Sequence, residues 1–373
     1  MQILLLFVYS FGFSEDSQIF TTPYRIFVVL IAAFIVIKNK NYIFFSRDIQ
    51  LVFIFFVLMF FRLLADTYRI DIKMGTDGLV YIKRWFSIVV IPILPFLLKN
   101  KYNPKSLLNG FTLSVYLFFV VAATFYSDYF LEDYRSITHN FDVDSDLLIN
   151  PLIFGYVGLF GGAIFLWKWK QNKSFPYNKS LLIIISLFLL VYSGSRGPFV
   201  SFVLTFMILF RKSFVLTNIN FIISFLILIL ILFFFFQSSN DFSLFQRFKL
   251  LFENYTSNNV EELGSYRFIT WKNAINQFIE SPFFGSGIEE HNSRYVAHNM
   301  FIEAFCSTGI IGGSIFLYII YKSLKRAFFL IKINSSSAFL SVIFISRVIT
   351  GLISSSILDP LIWFLIVLLI ISH

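Results

Sequence analysis

The chain has 373 residues, of which 57% are hydrophobic and 14% charged; phenylalanine alone occurs 53 times. A soluble domain of this length carries far more charge, so the composition excludes one and points to an α-helical membrane protein. The net charge of +9 is held in segments between apolar runs, which makes it a topology signal and not a nucleic-acid footprint, and the lone Cys306 excludes a disulfide framework.

In chain order, apolar runs fall near 1–14, 23–37, 49–65, 78–98, 107–126, 151–167, 180–192, 198–210, 218–236, 298–320, 335–353 and 359–372. The predicted fold is all-α: a polytopic single transmembrane domain over 1–373, with about twelve membrane helices. The N-terminal run lacks the basic start and the small-residue cleavage site of a signal peptide, so it reads as a first helix.

The connecting segments alternate in charge. One set carries Lys38, Lys40 and Arg47; Lys99, Lys101 and Lys105; Lys168, Lys170, Lys173 and Lys179; Arg211 and Lys212; then Lys322, Lys325, Arg326 and Lys332. The other is acidic or mixed and includes 127–150 and the long stretch 237–297. The basic set is expected on the cytoplasmic side, with both termini inside and 237–297 outside.

The same alternation divides 180–210. One long helix would put Lys168–Lys179 and Arg211–Lys212 on opposite sides. Two short helices joined by Ser193-Gly194-Ser195-Arg196-Gly197 keep both basic segments inside. Each run is about 13 residues, or roughly 20 Å of helix. That is less than the roughly 30 Å hydrocarbon core, so Arg196 is expected below the outer surface, facing protein or a wet cavity.

Inside the long outer loop, 264–280 (GSYRFITWKNAINQFIE) reads as an amphipathic helix. Phe268, Trp271, Ile275 and Phe278 share one apolar face, Ser265 is placed to cap it, and Pro282 ends it. Such a helix beside a bilayer lies in the interface.

Arg196 is the leading candidate for a site. A charge among hydrocarbon is costly unless an anion or a buried partner meets it, and its small neighbours, Ser195 included, let backbone N–H groups approach a phosphate at a helix start. Arg267 reads either as an anion ligand or as the solvated face of the loop helix. His298, opening an apolar helix beside Asn299, reads either as a helix-end residue or as a general base, since its imidazole titrates near neutrality. Glu303 faces inward as an ion-pair partner or brings water into a cavity. Lys83 and Arg62 read as snorkelling cations or site cations; Arg84 and Arg347 are secondary anion-site candidates. Asp142, Asp144 and Asp146 form an acidic loop that lacks the glycine and closing glutamate of a calcium site. No metal site and no cofactor are expected.

The Ser-x-Ser-Arg-Gly turn, an Arg267-x-x-x-Trp271 helix leading to Ser281-Pro282-Phe283-Phe284-Gly285-Ser286-Gly287, and His298-Asn299 followed by Gly309 and Gly312 together resemble the O-antigen ligase/polymerase superfamily over about 180–320. The resemblance implies a C-type glycosyltransferase fold in the bacterial inner membrane. Its substrates would be oligosaccharides on undecaprenyl diphosphate at the periplasmic face, and transfer would be metal-independent and inverting. By the motif, Arg196 and Arg267 match the diphosphate-binding arginines and His298 the acceptor-activating histidine. The expected protein is an O-antigen or capsular polysaccharide polymerase, with a chain-length regulator among its membrane partners. The alternatives are a ligase moving the glycan to lipid A-core, a protein O-oligosaccharyltransferase, and, from another class, a lipid-linked oligosaccharide flippase. Paired half-helices or internal repeats would favour a transporter, and the sequence has neither.

Overall fold

The computed structural model describes Ile26, Leu30, Phe34 and Ile37, then 46–68, 75–76, 78–90, 93–94, 103–125, 151–172, 179–193, 195–210 and 267–371. The expected runs 1–14 and 218–236, the acidic segment with Asp142, Asp144 and Asp146, and the loop up to 266 lie outside these residues, as do Ser265 and the side chain of Arg84.

The described elements are helical. They are α1 (Arg47–Thr67), α2 (Gly78–Arg84) leading into a π-helical turn (Trp85–Val90), α3 (Pro104–Phe125), α4 (Pro151–Asn172), α5 (Ser180–Tyr192), α6 (Arg196–Phe210), α7 (Arg267–Glu280), α8 (Met300–Lys332), α9 (Ala338–Gly351) and α10 (Pro360–Ile371). Among the described residues, α8 and the stretches Arg47–Thr67 and Pro104–Thr124 are long and apolar enough to cross a membrane, and α5, α6, α9 and α10 are shorter apolar helices.

The expected end of the 298–320 run is corrected. Lys322, Lys325, Arg326 and Lys332 sit on α8, which has 33 residues, and not in a connecting loop. Likewise Lys168 and Lys170 sit on α4. Hydropathy marks the edge of the hydrocarbon, not the end of the backbone ladder. The arm of α8 from Ile310 to Lys332 alone is about 35 Å long, longer than a roughly 30 Å core.

The chain divides into two compact units. One holds α1, α2, the start of α3 and α7–α10; the other holds the rest of α3 and α4–α6.

In the first unit, Trp363 of α10 is the centre of an aromatic core. Its ring meets Phe55 at 5.1 Å, Phe56 at 5.0 Å, Phe316 at 5.8 Å and Trp85 at 6.1 Å. Such offset and edge contacts add to the energy of area burial. The indole N–H donates to Ile357 O at 2.6 Å, so the core also secures the segment between α9 and α10.

α8 is broken at Gly309, where φ is 65° and ψ −163°. That conformation is essentially glycine-only. The break turns backbone groups outward, and the 281–287 segment takes them: Ile310 N–H donates to Pro282 O at 2.7 Å, and Ser286 N–H to Cys306 O at 2.9 Å. The Ser281–Gly287 stretch and Gly309, separate in sequence, are two halves of one packing device.

In the second unit, α4 packs against α5 at backbone distance. A Cβ on Gly158 would lie 2.6 Å from Ser186 O and 2.7 Å from Leu190 N. Small residues allow this approach where no hydrophobic force separates helix from lipid. α5 and α6 are two helices, as the charge alternation required, and the break between them falls at 193–195.

Candidate functional site

The first unit brings several predicted residues together at the start of α8. Arg267, the first residue of α7, donates from Nη1 to Ile353 O at 2.9 Å. Trp271, one turn on, donates from its indole to Ala297 O at 2.7 Å. His298 follows directly, with a left-handed backbone, φ 53°. That is uncommon for a non-glycine residue and persists only where the surroundings hold it.

Asn299 is committed to structure. It is the N-cap of α8: its Oδ1 accepts from Phe301 N at 3.0 Å and from Ile302 N at 3.2 Å. Its Nδ2 donates to Leu352 O at 2.9 Å. Capping satisfies amides that the helix leaves unpaired. The residue expected to bind substrate is therefore the hinge pin of the turn that carries His298.

Around His298 the flanking Ala297 and Asn299 are buried while the imidazole is exposed. Protein crowds the ring, yet part of the residue stays open to solvent. The crowding first, and the Arg267 cation second, hold its pKa below the ordinary histidine value. Both disfavour the charged form, so the ring is neutral at pH 7.

Sequence reasoning missed the segment 352–359 between α9 and α10. It receives Arg267 at Ile353, Asn299 at Leu352 and the Trp363 indole at Ile357. It also meets Glu303, which is fully buried: Oε2 accepts from Ser356 Oγ at 2.6 Å and from Ile357 N at 2.9 Å. The serine run 354–356 is its signal in the sequence, as hydroxyls and free amides between two apolar helices. The partners themselves lie too far away along the chain to be read.

Arg347 is buried and ion-paired with Asp359, whose Oδ2 also accepts from Ser355 Oγ at 2.9 Å. Its charge is already met by protein. Arg62 does not snorkel. It pairs with Asp66 at 2.5 Å and reaches Gly285 O at 3.4 Å, while Asp66 accepts from Ile288 N at 3.2 Å. Those contacts hold the 285–288 loop on α1. Glu289 adds a second tie, accepting from Gly75 N at 2.7 Å, Thr76 N at 3.1 Å and Tyr81 Oη at 2.7 Å. Lys83 is exposed.

α7 turns Thr270, Ala274 and Gln277 to the protein and leaves Phe268, Ile269, Ile275 and Ile279 exposed. Trp271 and Phe278, on the expected apolar face, are half-buried.

In the second unit, the turn before α6 is built by its own serines. Ser193 Oγ donates to Leu190 O at 2.8 Å and accepts from Ser195 N at 3.1 Å. The Ser195 hydroxyl is buried and meets no partner among the described residues. Arg196 is half-buried and opens α6. A helix start of this kind, with a free hydroxyl beside a guanidinium, is chemically suited to an anion.

Among the described residues no cluster of His, Cys, Asp and Glu has metal-binding form.

Residues 181–317 match the family model for O-antigen ligase. Those residues are an O-antigen ligase family domain. No curated protein matches the chain. The family covers both ligases and polymerases, its members are membrane-embedded glycan-transferring enzymes, and its substrates are lipid-linked glycans. The O-antigen ligase domain contains the Ser193–Arg196 turn, Arg267, His298 and the Gly309 break, and it ends before the 352–359 segment.

Proposed function

We propose that this protein is an inner-membrane polymerase that joins undecaprenyl-diphosphate-linked oligosaccharide repeat units into O-antigen or capsular polysaccharide at the periplasmic face. The observation that carries this reading is an imidazole held beside a guanidinium at the start of an apolar helix, within an O-antigen ligase family domain.

In the proposed step, an acceptor sugar hydroxyl attacks the anomeric carbon opposite the diphosphate. The new glycosidic C–O bond forms as the bond to the leaving oxygen breaks. The electron pair departs with undecaprenyl diphosphate, and His298 takes the hydroxyl proton. The configuration inverts. The leaving group needs charge stabilisation and no proton, which Arg267 and Arg196 supply through bidentate forks. Preorganised charge aimed at a developing anion is often the largest catalytic contribution. Arg196 has this role by the resemblance and by the chemistry of its own turn. Lys83 and Arg84 are proposed as weaker rim contacts to the lipid diphosphate, and a chain-length regulator as the membrane partner.

The test is purified protein with a synthetic undecaprenyl-diphosphate repeat unit as both donor and acceptor, read as a ladder on a gel. A ladder without added metal is expected. A single transfer product that appears only when lipid A-core is supplied would instead make the protein a ligase.

A further inference from the structure

We propose that Glu303 is a positioning residue: its carboxylate fastens the left-handed turn at His298 to the 352–357 segment, and so sets where the imidazole stands relative to Arg267. The inference rests on the reading of His298 as the base.

Glu303 is 0% exposed and lies in the first turn of α8. A carboxylate buried in a membrane helix is costly and is kept where it does something. It is not needed to cap the helix, because Asn299 already serves the amides of Phe301 and Ile302. Its Oε2 is instead spent on Ser356 and Ile357, across the site. On the near side, the backbone N–H groups of His298 and Asn299 also interact with the carboxyl. No donor among the described residues meets Oε1 at hydrogen-bond geometry, which leaves one acceptor for the strained turn itself. One carboxylate thus touches both edges of the site: the turn that carries His298 and the segment to which Arg267 is tied through Ile353.

The chemistry makes such a tie consequential. A base acts only within hydrogen-bond reach of the proton it removes, and small displacements of a reacting group are costly in rate. Asn299 and the Trp271 bond to Ala297 O fix the residues on either side of His298, and neither engages the His298 amide. The Glu303 carboxyl interacts with that residue's own amide, from across the Oε2 bonds that fix it to Ser356 and Ile357.

The test is a double-mutant cycle on the full-length protein in detergent or nanodiscs, using single-turnover transfer of a radiolabelled lipid-diphosphate repeat unit. In Glu303→Gln the amide carbonyl still accepts from Ser356 and Ile357, so the fold is retained while the acceptor oxygen facing the His298 turn is replaced by an N–H₂ donor. Transfer is expected to fall by about 10- to 100-fold, with the donor KM unchanged. In the His298→Ala background the same substitution is expected to change nothing further. An undiminished rate in Glu303→Gln, or an equal loss with and without His298, overturns the proposal. A fully active His298→Ala protein overturns the base reading itself, and is told apart because it shows in that single variant. Should Glu303→Gln not accumulate as folded protein, Ser356→Ala removes one of the two Oε2 bonds and is run through the same cycle, with the same outcomes deciding.

Discussion

Arg267 and Asn299 donate to consecutive carbonyls, the guanidinium to Ile353 O at 2.9 Å and the side-chain amide to Leu352 O at 2.9 Å. One short stretch of backbone therefore sets the separation between the cation on α7 and the turn bearing His298. Because that stretch is anchored in turn by the Trp363 indole at Ile357, the aromatic core of the unit bears directly on the geometry of the site.

His298→Ala should leave donor lipid binding intact. Transfer should fall by about 10²–10⁴-fold if the imidazole is the general base. Binding is read by filtration or fluorescence with labelled lipid, and transfer by gel. Full polymer formation by this variant removes His298 from the mechanism.

Arg267→Ala and Arg196→Ala should each lose donor binding and turnover together. On the proposed reading, each faces a diphosphate in the ground state as well as the transition state. Lysine at either position should rescue only in part, since an ammonium is a point charge and not a fork. Complete rescue by lysine would reduce the arginine to a general field effect.

The pH dependence follows from the direction of the His298 shift. Its pKa is depressed, by crowding and then by Arg267, so the neutral base survives acidification that would protonate a free imidazole. Transfer should stay flat from about pH 8 to below the ordinary histidine pKa of about 6.5, and fall only in more acid buffer. In Arg267→Gln the cation is gone, so the acid limb of the residual activity should move to higher pH. A limb that does not move would show that Arg267 does not act on the imidazole.

Gly309→Ala should lower stability by about 2 kcal/mol or more, since strained backbone alone costs about 1–3 kcal/mol. A Cβ there would also lie 2.2 Å from Phe283 O, so the 281–287 segment must move. Thermal unfolding in detergent measures the loss. An unchanged midpoint would mean that the break in α8 is dispensable.

Orientation is checked by labelling single cysteines from the periplasm. Asn258→Cys should label and Lys173→Cys should not; native Cys306 is buried and contributes little background. The reverse pattern would put the long loop in the cytoplasm and move the active side with it.

Much of the candidate site was legible locally. An arginine or histidine beside long apolar runs is conspicuous because its charge is expensive there. The helix observed over Arg267–Glu280 was visible from its spacing, and its end from Pro282, which has no N–H to donate. What that helix faces was not legible. An apolar stripe at helical spacing is the same signal whether lipid or protein covers it, and α7 turns its small and polar residues Thr270, Ala274 and Gln277 to the protein.

Sequence alone determined that this is a helical membrane chain, that 180–210 is two helices parted at Ser193–Arg196, and that Arg267 and His298 are chemical candidates. Composition, periodicity and charge act over a few turns, and that range covers all three. Only the tertiary structure decided that Asn299 is a cap, that Arg347 is met by Asp359, and that Glu303 meets Ser356 and Ile357 of the 352–359 segment. Those assignments depend on which of many chemically similar groups a distant part of the chain meets, and hydrogen bonds across fifty or more residues leave no local periodicity to read.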